Sequence, residues 1–317
     1  MNQNQTARTL GDWAYIAIAK HYKKILKHES KVLKDKDPEH LHQMRVGMRR
    51  LRSALSGFAP ALDLPSGVSE KNLAKIAKVL GKLRDIDVLQ STLITQYQPN
   101  LPEIEQKNLQ VILKSLKKER KSAFKAVKQI LRNRRYIQFK TGIEAWLEAP
   151  NYNTIAAVKI QRVLPDFLLP QAASFLLHPG WLVGVEINAG EVNFSQRQDI
   201  TTMSSSQAKI LHDLRKSAKK TRYNMELFSR FYGNLYNDYL QQITKVQEVL
   251  GDVQDTAVLM DFLTSISNND ITSYMPTLVE LIEKNRLLKF QEWQDLQKYF
   301  LHQRKQQEFR AILQYPM

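Results

Sequence analysis

Two segments of this chain repeat at one fixed spacing, and this repeat restricts the folds open to it. Residues 41–52 read Leu-His-Gln-Met-Arg-Val-Gly-Met-Arg-Arg-Leu-Arg, and residues 211–222 read Leu-His-Asp-Leu-Arg-Lys-Ser-Ala-Lys-Lys-Thr-Arg. A second pair, 79–89 and 249–259, opens on Val-Leu-Gly in both copies and is separated by the same 170 residues. Two motifs in one register indicate a duplicated unit.

The composition between these motifs favours helices. Gly and Pro number 11 each and gather at predicted boundaries, while Lys, Leu, Gln and Glu dominate in between. We predict an all-α fold of two four-helix bundles with pseudo-twofold symmetry, formed by residues 1–150 and 151–317. Residues 178–204 are the one long irregular stretch, with a short strand at 181–187. The helices are predicted, to within about 2–4 residues at each end, at 8–35, 38–58, 68–97, 102–148, 153–177, 205–231, 235–266 and 274–313.

The charge balance indicates an anionic partner. Lys and Arg exceed Asp and Glu by 47 to 31, which gives a formal net charge of +16. Cysteine is absent, so disulfides, thiol catalysis and cysteine metal sites are excluded. We find neither an apolar signal core at the N-terminus nor a stretch approaching the roughly 18 apolar residues of a membrane span, so we predict a cytoplasmic protein with no membrane partner.

The first repeated motif places its basic side chains in a row. On a helix, His42, Arg45, Arg49 and Arg52 fall within about 80° of one another, next to an apolar stripe that includes Met44 and Met48. The basic row therefore lies at the margin of the core, where side chains can line a groove. Four residues of the second copy repeat this geometry: His212, Arg215, Lys219 and Arg222. A basic row that occurs twice, with histidine in the same place, predicts anion donors more than a merely solvated face.

Four further arginines share helix faces with core-type residues, and a buried arginine needs either a carboxylate or a bound anion as its partner. They are Arg120, Arg134, Arg286 and Arg304. We expect them to form the floor or walls of a groove lined by both basic rows.

The sequence shows binding chemistry without a catalytic constellation. It has no phosphate-binding glycine loop, no His-Glu-x-x-His motif and no serine or threonine with an obvious general base nearby in sequence. Asp252 and Asp255 could hold a divalent metal, but Asp85 and Asp255 are more simply interpreted as carboxylates that orient neighbouring cations. We therefore predict no metal, no cofactor and no enzymatic activity.

The two motif pairs resemble the conserved-histidine α-helical domain family, abbreviated CHAD, over residues 8–313. The resemblance implies two helical halves with a basic groove between them, binding of inorganic polyphosphate, and location at polyphosphate granules. The implied binding residues are His42, Arg45, Arg49, Arg50, Arg52, His212, Arg215, Lys219, Lys220 and Arg222. Two alternatives stay open at this point: a nucleic-acid-binding helical protein, and a metal-dependent enzyme acting on diphosphate or polyphosphate.

Overall fold

Helices dominate this chain, as the sequence predicts. The computed structural model describes residues 7–194, 203–266 and 271–317. In that part of the chain, the strands form only two antiparallel two-stranded pairs, so the all-α class is confirmed. The chain divides into two compact units, Met1–Val163 and Leu164–Met317, which are described separately. The pseudo-twofold relation between the two halves stays a prediction.

Unit 1 is built on a run of consecutive helices in which α1 packs on α2, α2 on α3 and α3 on α4. A short strand pair, β1 with β2, links the end of α2 to the segment after α5. The elements are α1 (Leu10–Lys34), α2 (Pro38–Gly57), β1 (Leu62–Asp63), α3 (Glu70–Thr92), α4 (Glu103–Arg132), α5 (Arg134–Glu148) and β2 (Asn151–Tyr152).

Unit 2 centres on a long helix, α8, which packs against both α7 and α10. The unit boundary falls near the start of α6, and a hairpin of β3 and β4 follows that helix. The elements are α6 (Ile160–Leu176), β3 (Glu186–Asn188), β4 (Glu191–Asn193), α7 (Ser205–Phe228), α8 (Asn234–Ile266), α9 (Ile271–Tyr274), α10 (Pro276–Leu301) and α11 (Gln303–Gln314).

Helix starts and the core face of α2 follow local sequence rules. The Asp37 side chain accepts a hydrogen bond from the backbone of Glu39, and Pro38 is the first helical residue, as predicted. Ser204 caps α7 in a reciprocal arrangement with Gln207. The apolar stripe of α2 is fully in the core: Leu41, Met44, Met48, Leu51, Leu55 and Phe58 are each at most 3% exposed.

Two predicted helices are each broken in two, which corrects the predicted spans 102–148 and 274–313. A third, predicted at 153–177, begins only at Ile160, after a 3₁₀ turn at Thr154–Ala157. Asn133 is extended, with φ −71° and ψ 144°, and its side chain accepts from the backbone of Arg135 to start α5. Asparagine can replace a helical hydrogen bond with this local one, so it ends α4 where the apolar pattern continues. His302 is likewise extended between α10 and α11, and the Gln306 side chain donates to the carbonyl of Phe300.

The strand predicted at 181–187 is also wrong over most of its length. Trp181 lies in a 3₁₀ turn, Pro179–Leu182, and β3 begins only at Glu186. The Trp181 indole is 1% exposed and donates to the carbonyl of Phe175 at 2.7 Å. It stacks on Trp293 with ring centroids 5.2 Å apart. Packing in the core, rather than strand pairing, therefore fixes this segment, and the end of the predicted irregular stretch, 195–202, lies outside the described residues.

Candidate functional site

The basic row of unit 1 lies on the side of α2 that faces α3. Arg45 extends along α3, where its Nη1 donates to the carbonyl oxygen of Ala77 at 3.3 Å. Its Nη2 lies 4.0 Å from the Asp85 carboxylate, and the side chain is 31% exposed. Ala77, Gly81 and Asp85 are spaced four residues apart, so they share one face of α3. The guanidinium is thus held against α3 while part of the side chain reaches solvent.

A glycine of the next helix lies directly beneath this arginine in each unit. A Cβ atom built on Gly81 would lie 2.6 Å from Nη1 of Arg45. A Cβ atom built on Gly251 of α8 would lie 3.0 Å from Nη2 of Arg215. Both arginines belong to the first repeated motif and both glycines to the second. The two motifs therefore meet within each unit, in the same pairing of residues.

Arg215 and His212 share a partner that unit 1 does not have. Nη1 of Arg215 donates to the side-chain oxygen of Gln254 at 3.0 Å, and the same oxygen is hydrogen-bonded to Nδ1 of His212. Because an arginine can only donate, this contact identifies the oxygen end of the amide, and His212 Nδ1 must then carry its hydrogen.

The corresponding histidine of unit 1 lies in a field of positive charge. Burial and the nearby charge of Arg84 lower the pKa of His42, Arg49 and Arg45 act in the same direction, and Glu39 opposes them. Arg84 of α3 stands 170 residues before Gln254. The neutral amide of unit 2 thus replaces a cation of unit 1, and the ligand-free His42 favours its neutral form.

The arginine that ends each basic row is held by a glutamate. Nε and Nη2 of Arg52 donate to the carboxylate of Glu70, at the start of α3. Nε of Arg222 donates to Glu226 at 2.8 Å, and its Nη1 to the side chain of Gln247 at 3.3 Å. These carboxylates orient the guanidinium groups, and they also offset part of the row's charge.

The remaining predicted binding residues of α2 and α7 differ in burial and in the direction they face. Arg50 lies about 140° around α2 from Arg45, and its charge lowers the pKa of the buried His21 of α1, which burial brings to about 4. The structure therefore places Arg50 towards α1, away from the α3 side. Lys219 and Lys220 are both exposed on α7, whereas Arg49 is half-buried on α2.

Arg120 has carboxylate partners on two other segments of unit 1. Its Nη1 and Nη2 donate to the two carboxylate oxygens of Asp35, each at 2.7 Å, and its Nε donates to Asp87 at 2.7 Å. These hydrogen bonds hold the pKa of the Arg120 guanidinium above its usual range. The sequence left two possible partners for this arginine, a carboxylate or a bound anion, and the structure shows carboxylates. Arg120 therefore links the end of α1 to α3 through ion pairs within unit 1.

The expected inward placement of Arg134 and Arg304 is wrong. Both side chains are exposed, because each follows a helix break: Arg134 is the first residue of α5, and Arg304 is the second of α11. The breaks turn the chain away from the face that an unbroken helix would give. Arg286 is 21% exposed on α10 and lies 3.6 Å from the Glu283 carboxylate. Its Nε is buried without a hydrogen-bond partner among the described residues.

Neither a metal cluster nor a membrane-spanning helix is found in the described parts of the chain. No three or more His, Asp or Glu side chains converge there in a way that could hold a metal ion. Asp252, a candidate metal ligand from the sequence, lies 3.6 Å from the ammonium group of Lys289. None of the helices described combines the length and apolarity needed to cross a bilayer.

Comparison with known proteins decides the family. A family model described as the CHAD domain matches residues 16–264. The chain belongs to the CHAD family. This confirms the resemblance inferred from the motif pairs, and the matched range contains every residue of both CHAD basic rows.

Two solved structures share the CHAD fold with this chain. The crystal structure of the CHAD domain from the plant Ricinus communis is 22% identical, with a TM-score of 0.60, and the match covers 98% of this chain and 93% of that one. PptA from Streptomyces chartreusis is 13% identical, with a TM-score of 0.65 and coverage of 93% and 99%. No curated protein matches the chain.

Three residues at the candidate site are absent from the set predicted from sequence: Gly81, Gly251 and Gln254. The glycines were visible as part of the Leu-Gly repeat, but only the packing of α2 on α3 and α7 on α8 shows which side chains they approach. Arg84 is a fourth residue that the sequence prediction left out. The 170-residue repeat aligns it with Gln254, and this alignment is the sequence signal that could have identified both.

Proposed function

We propose that this chain binds inorganic polyphosphate through the basic rows of α2 and α7, and that it acts by binding and not by catalysis. Membership of the CHAD family supports the ligand class. The observation that carries the proposal is the arrangement of Arg45 and Arg215. Each packs its guanidinium against a neighbouring helix, next to a histidine, at the margin of the core.

The chemistry of these side chains suits a phosphate polymer. Guanidinium groups grip phosphate oxygens through two parallel hydrogen bonds, and a protonated histidine adds one more donor. The polymer carries about one negative charge for each phosphate and has no bases to read. A rigid array of cations is therefore sufficient for recognition, and we expect the protein to meet its ligand in the cytoplasm, at polyphosphate granules.

The alternative of single-stranded nucleic acid requires aromatic faces on which bases can stack. The aromatic residue nearest in sequence to either basic row is Tyr223, which directly follows Arg222. Its side chain is only 5% exposed, and the Arg222 guanidinium lies 5.5 Å from the ring centroid. Tyr223 therefore offers no open face to a base, which favours polyphosphate.

The test is charge removal within a row, compared with charge removal elsewhere. Replacing Arg45 and Arg49 by Ala should weaken long-chain polyphosphate binding by about 100-fold, because each lost charged hydrogen-bonding group is worth about 1.5 kcal/mol. The matched control is Lys117→Ala with Lys121→Ala, which removes the same charge from exposed positions of α4. Calorimetric titration in one buffer measures all three proteins.

Two results would refute the proposal: equal losses in the row variant and the α4 control, or tighter binding of single-stranded DNA than of polyphosphate at equal charge. Orthophosphate release in the presence of magnesium, abolished by Asp255→Ala, would instead support the enzymatic alternative. The expectation that one ligand engages both rows stays a prediction. It is tested by comparing the row variant of α2 with Arg215→Ala/Lys219→Ala on short and long polyphosphate.

A further inference from the structure

We propose that Gly81 and Gly251 are positioning residues: each keeps the surface of its helix bare so that the guanidinium of one arginine of the binding row can pack against it. The inference rests on the proposed function for its ligand. Its steric basis is independent of that function, because it concerns only the packing of Arg45 on α3 and of Arg215 on α8.

The three nearest contacts at each of the two glycines all belong to one arginine. For Gly81, the three nearest atoms to an added Cβ are Nη1, Cζ and Nη2 of Arg45, at 2.6, 3.6 and 3.8 Å. For Gly251, they are Nη2, Nε and Cζ of Arg215, at 3.0, 3.2 and 3.3 Å. Ordinary contacts of a Cβ atom begin near 3.4 Å, so a methyl group at position 81 would force Arg45 to shift, and one at position 251 would require Arg215 to move by a few tenths of an ångström.

Neither glycine is needed for backbone geometry. Both lie in the interior of a long helix, far from its ends, and neither adopts the positive φ that favours glycine elsewhere in this chain. Alanine is a better helix former than glycine at such a position. A glycine that weakens its helix in both copies of the motif is explained by the space that the arginine occupies.

The consequence of a methyl group at these positions is a displaced guanidinium more than an unfolded helix. The clashing atoms are the far end of a flexible side chain, which can move away at small cost. Arg45 would then lose its hydrogen bond to Ala77 and its fixed direction, while the net charge of the protein stays the same. Binding should fall because of lost geometry, which separates this effect from the removal of charge.

We test the inference with Gly81→Ala in the full chain. We expect affinity for long-chain polyphosphate to fall about tenfold, equivalent to about 1.4 kcal/mol. Gly251→Ala should show a smaller loss, because its closest contact is 3.0 Å rather than 2.6 Å. The control is Gly142→Ala in α5, whose Cβ would lie 2.6 Å from Cγ2 of Val68, a clash with an apolar side chain. That variant should lower the melting temperature and leave affinity unchanged.

A double-mutant cycle of melting temperatures tests the packing of Arg45 on Gly81 separately from the proposed polyphosphate binding. In the Arg45→Ala background, where the clashing side chain is gone, Gly81→Ala should raise the melting temperature, because alanine improves the helix. In the wild-type background, the same change should give a smaller gain or a loss. Equal shifts in both backgrounds would overturn the inference without any polyphosphate being present. Wild-type affinity in Gly81→Ala, in a protein that binds polyphosphate and loses binding with Arg45→Ala, would overturn it as well.

Discussion

The histidines of the two basic rows have different surroundings, although they occupy the same place in the repeat. His212 is hydrogen-bonded through Nδ1 to Gln254, a neutral side chain. His42 lies near Arg84, and burial together with this cation lowers its pKa. His42 therefore has the capacity to gain a proton when an anion replaces solvent beside it.

We predict that polyphosphate binding strengthens as the pH falls from about 8 towards 6. In the ligand-free protein the lowered pKa keeps His42 neutral, and a bound polyanion raises that pKa. Binding therefore takes up a proton, and linkage requires affinity to rise as protons become more available. The measurement is affinity at several pH values for the wild type and for His42→Gln, in which the response should be weaker.

The control for this experiment is His302→Gln, which changes an exposed histidine between α10 and α11. Its pH response should match that of the wild type. A response of equal size in His42→Gln and the wild type would remove His42 from the binding mechanism.

At the scale of elements, the sequence predicts what is periodic and misses what is local. The stripes of α2 and the start of α7 follow from the spacing of apolar residues and from Asp37 and Ser204 as caps. The ends of α4 and α10 do not, because the apolar pattern continues across both breaks. One residue at each break, Asn133 or His302, leaves helical geometry, and a pattern averaged over several turns does not resolve a single residue.

We predict that Asn133→Ala destabilises unit 1 by about 1 kcal/mol, the usual cost of removing a helix N-cap. The side chain of Asn133 accepts from the backbone of Arg135 at 2.9 Å, and alanine cannot replace this bond. Urea denaturation measures the loss. Asn133→Asp keeps the acceptor and should stay close to wild-type stability. If both variants were equally stable, the cap would not be what defines the start of α5.

At the scale of the whole molecule, charge and repeat indicate the ligand class, but they do not assign a role to each cation. The excess of 47 basic over 31 acidic residues is a property of the whole surface. Among the predicted cations, Arg45 and Arg215 reach the position that the repeat indicates, whereas Arg134 and Arg304 are turned outward by helix breaks. Arg120 is held by carboxylates distant in sequence, at positions 35 and 87. Such a pairing depends on tertiary packing, so helix periodicity alone cannot distinguish it from a ligand contact.

The ion pairs that Arg120 makes with Asp35 and Asp87 have a consequence for proteolysis. Arg120 holds Asp35, the left-handed residue with φ 50° that follows α1, and the neighbouring Lys34 and Lys36 are exposed. Trypsin cleaves segments that can open locally. Lys34 and Lys36 should therefore resist cleavage, although they are accessible, because Arg120 holds the turn between them. We predict that Arg120→Gln makes cleavage after Lys34 or Lys36 the earliest event in a limited digest, as read by mass spectrometry. Glu119→Gln, which changes an exposed charge on α4 and leaves every trypsin site in place, should keep the wild-type order of fragments. An unchanged order in Arg120→Gln would contradict the prediction. Although the chain contains many trypsin sites, the ion pairs of one arginine would then determine which site is cleaved first.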